Sequence, residues 1–305
     1  MRGFSFIRNG IALNIILKFL FIILAILTNQ KTVPNHKGNY MFEFHADRKR
    51  YFDIQLLNAE KYVLPFIEAN FIIIPNMRVL EIGCGEGGVL KAFINKGCMG
   101  VGVEFDEIRI INGEKWLADD IKNGRISFVA KNIYDTNIES LGGKFDIIIL
   151  KDVIEHIHDQ ERLLTFLKDF LTPSGIIFFG FPPWQMPFGG HQQLCQKRLS
   201  KVPYFHLLPR SIYKRILKVF GESDPVIILL LEIKETGISI ERFEKIVKKT
   251  NYHIVSKIHY LFNPIYEYKF NLKPKKQNRV ISKIPYVRDY ITTCVYYIIK
   301  GNGVE

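Results

Sequence analysis

The sequence has few cysteines and tryptophans and only one long hydrophobic run. Its 305 residues include four cysteines and two tryptophans. No two cysteines form a Cys-x-x-Cys pair, and no histidine is spaced with them as a zinc site requires, so we expect reduced thiols, a cytoplasmic setting and no metal site. The single apolar run excludes a multi-span membrane protein, and the spread of charge along the chain excludes a disordered one.

Charge is abundant but unevenly distributed. The chain has 42 Lys and Arg against 30 Asp and Glu, a net charge of +12. Residues 1–50 carry 8 basic and 2 acidic side chains, residues 51–180 carry 13 and 19, and residues 181–305 carry 21 and 9. The middle of the chain is therefore acidic and its ends are basic. Basic ends can attract phosphates, anionic lipid headgroups or nucleic acid, and such charge can also serve solubility alone.

The apolar run lies at residues 11–27, within a basic amino-terminal extension over residues 1–50. It is interrupted by Asn14 and Lys18 and is shorter than the ~20 residues that a membrane span needs. On a helix these two residues share one face, which suits a helix lying in an anionic membrane interface through residues 1–30. A helix packed on the protein, a signal peptide and a true span are the alternatives.

Short apolar runs alternate with helical patterns from residue 78 to residue 181. This alternation predicts parallel βαβ units, with ligand chemistry at the carboxyl ends of the strands. A helix over residues 51–70, broken near Pro65, is predicted to precede them. The predicted strands are 78–82, 99–103, 126–130, 145–150 and 176–181, and the predicted helices between them are 89–95, 108–121 and 160–171.

The alternation of predicted strands and helices ends after residue 181. Residues 182–236 mix prolines with aromatic and basic side chains, and we interpret them as a cap or substrate-binding insertion over the site. A helix over 239–249 and two β-like runs, 252–260 and 292–300, follow it. We therefore expect one domain made of residues 51–181 and 237–305.

Residues 79–88 read VLEIGCGEGG and carry the most informative pattern. A strand that runs into Glu-x-Gly-x-Gly-x-Gly can hold a nucleotide, because glycines let the backbone turn sharply and approach a ligand closely. The same letters contain Gly-x-Gly-x-x-Gly at Gly83, Gly85 and Gly88, so a nicotinamide dinucleotide is an alternative ligand. Glu104 ends the next strand and can bind both ribose hydroxyls of either cofactor.

Four successive stretches resemble the motifs of class I S-adenosylmethionine-dependent methyltransferases. They are VLEIGCGEGGVLKAFINKGCMGVGVE, ISFVAKNIYD, KFDIIILKDVIEHIHD and LTPSGIIFFGFPP, within residues 77–183. The resemblance implies S-adenosylmethionine as cofactor and an α/β fold with a doubly wound, Rossmann-like sheet. That sheet would have seven strands in the order 3-2-1-4-5-7-6, the last one antiparallel, with the cap insertion and the helical amino-terminal extension added to it.

The resemblance also implies which residues bind the cofactor. Residues 81–87 would surround the methionine part, with Glu81 near its amino group. Glu104 would bind the ribose, and Asn132 and Ile133 would contact the adenine, Asn132 standing where the family usually has Asp. Lys151 would lie near the methionine part and the substrate. Cys84 is interpreted as a small residue of the loop rather than a reactive thiol, because no base is placed near it. The implied cofactor residues are Glu81, Gly83, Cys84, Gly85, Gly87, Glu104, Asn132, Ile133 and Lys151.

Two histidines are candidate catalytic residues. His156 follows the fourth strand, and His191 lies in a glycine-flanked loop after the fifth. Methyl transfer is an in-line displacement that needs alignment and sometimes a base, but no covalent residue. Each histidine can instead have a purely structural role. His206, between Phe205 and Leu207, is expected to pack.

We therefore predict a methyltransferase that modifies an oxygen of a small-molecule, sugar or lipid-linked acceptor. Its location would be cytoplasmic, with peripheral contact to an anionic membrane. An RNA or protein methyltransferase is the second hypothesis, supported by the net charge. A non-catalytic methyltransferase-like module that docks on a membrane is the third, and a nicotinamide-dependent oxidoreductase is the fourth.

Overall fold

The computed structural model describes residues 32–34, 40–42 and 47–302. Two short strands, β1 (Thr32–Pro34) and β2 (Tyr40–Phe42), pair antiparallel with each other. The predicted interfacial helix at residues 11–27 lies outside the described residues. Within the described ranges, no helix combines the length and the apolar character that crossing a membrane requires.

The main sheet has eight strands in the order β5-β4-β3-β6-β7-β10-β8-β9. The first five are parallel, and β10 is antiparallel to both of its neighbours, β7 and β8. The predicted order and the antiparallel last strand are confirmed, with a two-residue edge strand, β9, added. The strands are β3 (Arg78–Ile82), β4 (Met99–Glu104), β5 (Ile126–Ala130), β6 (Phe145–Lys151), β7 (Leu171–Phe181), β8 (Tyr252–Phe262), β9 (Lys275–Lys276) and β10 (Cys294–Gly301).

Helices cover both faces of this sheet, because its central strands are apolar on both sides. In β6, Ile147 and Ile149 belong to one hydrophobic core, while Ile148 and Leu150 belong to the other. The helices are α1 (Arg48–Asn58), α2 (Leu64–Glu68), α3 (Gly88–Asn95), α4 (Glu107–Trp116), α5 (Ala118–Lys122), α6 (Gln160–Leu167), α7 (Arg210–Val219), α8 (Asp224–Thr236), α9 (Ile240–Lys249), α10 (Tyr266–Phe270) and α11 (Val287–Tyr290).

The predicted break near Pro65 takes another form. The chain passes from α1 to α2 through a π-helical turn, Ala59–Val63, so it stays helical across this point. Pro65 stands in the first turn of α2, where a missing backbone N–H costs little. The wider turn before it accommodates the proline without ending the helix.

The segment predicted as a cap, residues 182–236, consists of short 3-10 turns followed by α7 and α8. It has a small hydrophobic core of its own around Tyr213, Leu217 and Leu230. Helix α8 contacts the 3-10 turn Ile154–His156 that follows β6. The segment therefore lies beside the carboxyl ends of the central strands.

Candidate active site

A glycine loop joins β3 to α3 at the carboxyl edge of the sheet. Gly83 and Gly85 have φ angles of +65° and +56°, a conformation that side chains with a Cβ rarely adopt. The Gly83 N–H donates to Val103 O at 2.8 Å, which ties the loop to the end of β4. On the Cβ side of Gly85 the nearest atom is Arg109 Nη1 at 3.6 Å. The loop thus presents backbone to a ligand there.

Glu104 holds this loop from the neighbouring strand end. Its carboxylate is 4% exposed and accepts hydrogen bonds from the N–H groups of Gly85 at 3.1 Å, Phe105 at 2.9 Å and Asp106 at 3.1 Å. Arg109 Nη1 lies 3.8 Å from it. The carboxylate is therefore fixed beside the loop, where the resemblance places the ribose.

Glu81 is a buried acid beneath the same loop. Its Oε2 accepts from the Leu90 N–H at 3.0 Å, and burial raises the pKa of the carboxyl to about 8. A buried carboxyl with a raised pKa would ionise if a cationic group bound next to it. Glu81 therefore fits the cationic amino group that the resemblance assigns to it.

The remaining implied cofactor residues lie in and around this cleft. Cys84 is buried, and burial together with Glu81 raises the pKa of its thiol well above the ordinary value, so the thiol stays protonated. Asn132 ends the segment after β5, and its Oδ1 accepts from the Tyr134 N–H at 3.1 Å. That oxygen keeps a second lone pair for an adenine amino group. Ile133 is buried at the same strand end.

Lys151 and Asp152 form an ion pair at the end of β6. Burial alone would lower the pKa of Lys151, but the adjacent Asp152 carboxylate raises it. Burial would raise the pKa of Asp152, and Lys151 outweighs it, so the net shift is downward. Asp152 has φ +57°, unusual for a non-glycine residue, and such strain is concentrated at functional sites.

The two candidate catalytic histidines meet beyond this pair. The ring centroids of His156 and His191 are 5.2 Å apart, although the residues are far apart in sequence. Burial lowers the pKa of His156 and lowers that of His191 to about 3, so both imidazoles are neutral at neutral pH. Glu155, next to His156, is buried, and burial raises its pKa well above the ordinary value.

His206 has the packing role that the sequence suggested. The side chain is fully buried, its Nδ1 lies 2.8 Å from Gln192 Nε2, and its Nε2 lies 2.7 Å from Trp184 O. Both ring nitrogens are thus used within the cap segment.

Helices α1 and α10 cover the site with residues that sequence reasoning missed. Lys269 Nζ, on α10, lies 5.1 Å from the ring centroid of Tyr51, on α1. Burial raises the pKa of Tyr51 to about 12 and lowers that of Lys269 to about 7. Arg48, also on α1, pairs with Glu86 of the glycine loop at 3.3 Å. The only sequence signal for this arrangement was the helical pattern of residues 51–70.

Comparisons with known proteins agree with this geometry. The family described as "Methyltransferase domain" matches residues 55–208, about half of the chain. A solved S-adenosylmethionine-dependent methyltransferase from Clostridium acetobutylicum has the same fold. Its TM-score is 0.52 at 14% identity, and the match covers 84% of this chain and 96% of that one.

Two curated relatives are also methyltransferases by name. An uncharacterised methyltransferase of Mycolicibacterium gilvum is 32% identical over 118 residues, which are 38% of this chain and 44% of that protein. A ubiquinone biosynthesis O-methyltransferase of Bartonella tribocorum is 26% identical over 152 residues, 48% of this chain and 56% of that protein. The match thus spans about half the length of these relatives. The chain belongs to the methyltransferase-domain family, which confirms the predicted class I fold and the S-adenosylmethionine cofactor of that family.

Proposed function

We propose that this chain methylates a hydroxyl oxygen of a small-molecule acceptor. The observation that carries the proposal is the placement of His156 and His191, which face each other at the carboxyl ends of β6 and β7 beside the glycine loop. In a parallel sheet that edge is where ligands bind. Any acceptor that reaches the cofactor from this side passes these two neutral imidazoles.

The residues of the loop fit the cofactor by shape and by charge. S-adenosylmethionine supplies an electrophilic methyl group on a positively charged sulfur. Glu104 orients the ribose, and Glu81 ionises next to the amino group. Because the space on the Cβ side of Gly85 is open, the ligand can approach the backbone of the loop there. These contacts hold the cofactor still, and alignment makes a large contribution to the rate of an in-line displacement.

The acceptor side is closed by α1 and α10. Tyr51 and Lys269 contact each other and interact with Lys151 and Asp152 at the end of β6, a position from which they would keep water from the acceptor and the methyl group. Transfer to oxygen is supported by the names of the ubiquinone biosynthesis O-methyltransferases among the relatives. The intact glycine loop and Glu104 favour this reading over a non-catalytic docking module.

A lipid-linked acceptor at an anionic membrane is the finer form of this proposal. On α7, Ile212 and Val219 are exposed, Val219 at 76%, and Arg215 is exposed between them on the same helical face. Exposed apolar side chains with basic neighbours suit a negatively charged lipid surface. The contact predicted for residues 1–30 would add to this face. Pelleting of the full chain with anionic but not with neutral vesicles is the expected result.

Calorimetric titration of the full chain with S-adenosylmethionine, S-adenosylhomocysteine and NADH tests the cofactor site. We expect the two sulfur ligands to bind and NADH not to bind. Gly85→Val and Glu104→Ala should abolish binding, because a valine strained at φ +56° would distort the loop that holds the ligand, and loss of Glu104 releases that loop. Gly124→Val, which has a similar φ of +67° in open space, and Glu107→Ala, on the exposed start of α4, are the matched controls.

The acceptor is then identified by the formation of S-adenosylhomocysteine with panels of phenols, sugars and lipid-linked sugars. A well-folded wild-type protein that binds neither sulfur ligand would refute the proposed function. If the chain binds the sulfur ligands and methylates RNA or a protein but no hydroxyl compound, an RNA or protein acceptor would replace the small-molecule acceptor.

A further inference from the structure

Three side chains with metal-binding atoms converge beyond the end of β6. Glu155 and His156 lie in the 3-10 turn after β6, and His191 lies in the loop after β7. One ligand atom from each residue lies within 4.8 Å of the ligand atoms of the other two. Atoms this close can move onto one ion through small rotations of the side chains. The cluster joins two loops that adjacent parallel strands hold side by side.

A second observation comes from Glu155. The residue is 5% exposed, and its Oε2 atom is buried with no hydrogen-bond partner among the residues that the structure describes. An unpartnered buried carboxyl oxygen is costly, and native structures rarely keep one without a reason. A cation bound at the cluster would be the missing partner. The atom therefore points to a ligand independently of the closeness of the histidines.

The backbone supports the same placement. His191 has φ +56°, a left-handed conformation that costs about 1–3 kcal/mol in a non-glycine residue. A hydrogen bond from the His191 N–H to Phe188 O, at 3.0 Å, holds the residue in this conformation. The strained loop directs the imidazole toward His156. The surrounding charges are mixed, since Asp152 is negative while Lys151 is positive.

We propose that Glu155, His156 and His191 bind one divalent transition-metal ion, such as Zn²⁺ or Mn²⁺. Two imidazoles and one carboxylate are a donor set of catalytic rather than structural sites, because they leave at least one coordination position open. The two histidines then act as metal ligands.

This inference rests on the proposed function for its role in the reaction. The ion coordinates the acceptor hydroxyl oxygen as a Lewis acid and lowers its pKa, so that the proton leaves to solvent water. The oxygen then attacks the methyl carbon. A carbon–oxygen bond forms, the carbon–sulfur bond breaks, and its electron pair stays on the sulfur, which becomes the neutral thioether of S-adenosylhomocysteine. No oxidant, reductant or further reactant is needed.

Binding of the metal alone tests the site without any turnover. The full chain is stripped with a chelator and titrated calorimetrically with ZnCl₂ and with MnCl₂. We expect one equivalent to bind, and Glu155→Gln, His156→Ala and His191→Ala each to weaken affinity by about tenfold or more. His158→Ala is the matched control, because His158 is exposed two residues from His156 and pairs instead with Glu232 at 3.8 Å. It should leave the affinity unchanged.

The visible spectrum of the wild-type chain loaded with Co²⁺ is a second measurement that does not depend on whether the variants fold. We expect intense bands from a low-coordinate site with nitrogen ligands. No binding, binding that all three variants leave intact, or a weak spectrum typical of six oxygen ligands would overturn the proposal. Metal binding as expected in a chain that binds no S-adenosylmethionine would leave the site standing and refute the proposed function, so the two failures are distinguishable.

Discussion

The geometry of Gly83 makes a prediction about stability that can be worked out from the structure. In Gly83→Ala the new Cβ would lie 2.6 Å from Val153 Cγ2, far inside ordinary contact distance, and the residue would keep a φ of +65°. The left-handed conformation costs an alanine about 1–2 kcal/mol. The clash adds about 1–3 kcal/mol, as overpacking in a filled site does. We expect a loss of about 2–5 kcal/mol in the free energy of unfolding.

Gly124→Ala separates the two contributions. Gly124 has φ +67°, and no atom of the described residues lies within 4 Å of the position where its Cβ would stand. The variant should lose only the conformational part, about 1–2 kcal/mol. The entropy that alanine removes from the unfolded chain is the same at both positions and cancels in the comparison.

Urea unfolding followed by circular dichroism measures both losses, and Val153→Ala completes a double-mutant cycle. Removing the Val153 methyl groups should make Gly83→Ala less costly than it is in the wild-type background. Equal losses for Gly83→Ala and Gly124→Ala, or no coupling between residues 83 and 153, would refute the reasoning that Val153 limits the space at the loop.

Two further predictions concern ionisable groups. Burial raises the pKa of Glu81 to about 8, so the carboxyl holds a proton at pH 7. Binding of the cationic amino group should release that proton, up to about 0.9 proton per molecule at pH 7 and far less at pH 9. Calorimetry of cofactor binding in buffers of different ionisation enthalpy measures this release, and Glu81→Gln should remove it. Arg288 is buried and donates to Glu241 and Glu244 at 3.1 Å each. We expect Arg288→Ala to lower the free energy of unfolding in urea by about 3 kcal/mol, because Glu241 then loses the cation that pairs with it and Glu244 loses one of its two cations, Arg288 and Lys257. Arg288→Lys should recover part of that loss, and full stability of the Ala variant would contradict the argument.

The central strands could be predicted almost to the residue because burial on both faces makes them continuous apolar runs. The start of β7 could not be predicted from the sequence. The strand begins at Leu171, whereas the sequence suggested residue 176. Residues 173 and 174 are exposed, and Pro173 and Gly175 interrupt the apolar pattern, so the sequence does not indicate a strand there. Its first pairing, Phe145 with Leu171, is separated from the rest by an irregularity in register. Such a segment is held by pairing rather than by its own composition.

The packing of α1 and α10 over the site could not be predicted from the sequence, for a different reason. The pattern of residues 51–70 predicted a helix, but it could not show what the face carrying Tyr51 would meet. In the structure that face meets α10, where Lys61 pairs with Glu267 at 2.9 Å and Tyr268 Oη donates to Leu57 O at 3.3 Å. These partners are more than 200 positions apart in the chain, and no local pattern encodes such a contact.

The histidines show how much a fold adds to a list of candidate residues. In the sequence, His156, His191 and His206 each allowed a structural and a chemical reading. The pKa shifts do not separate the readings, because desolvation lowers the pKa of all three. Their hydrogen-bond partners do separate the readings. Both ring nitrogens of His206 bond to Gln192 and Trp184, whereas His156 and His191 lie next to each other beside a buried carboxyl oxygen for which the described part of the chain offers no hydrogen-bond partner. That convergence exists only because β6 and β7 are adjacent and parallel, which brings the loops after both strands to the same edge. Spacing rules for metal ligands look for donors close in sequence, and so they miss a set in which one donor comes from the next strand.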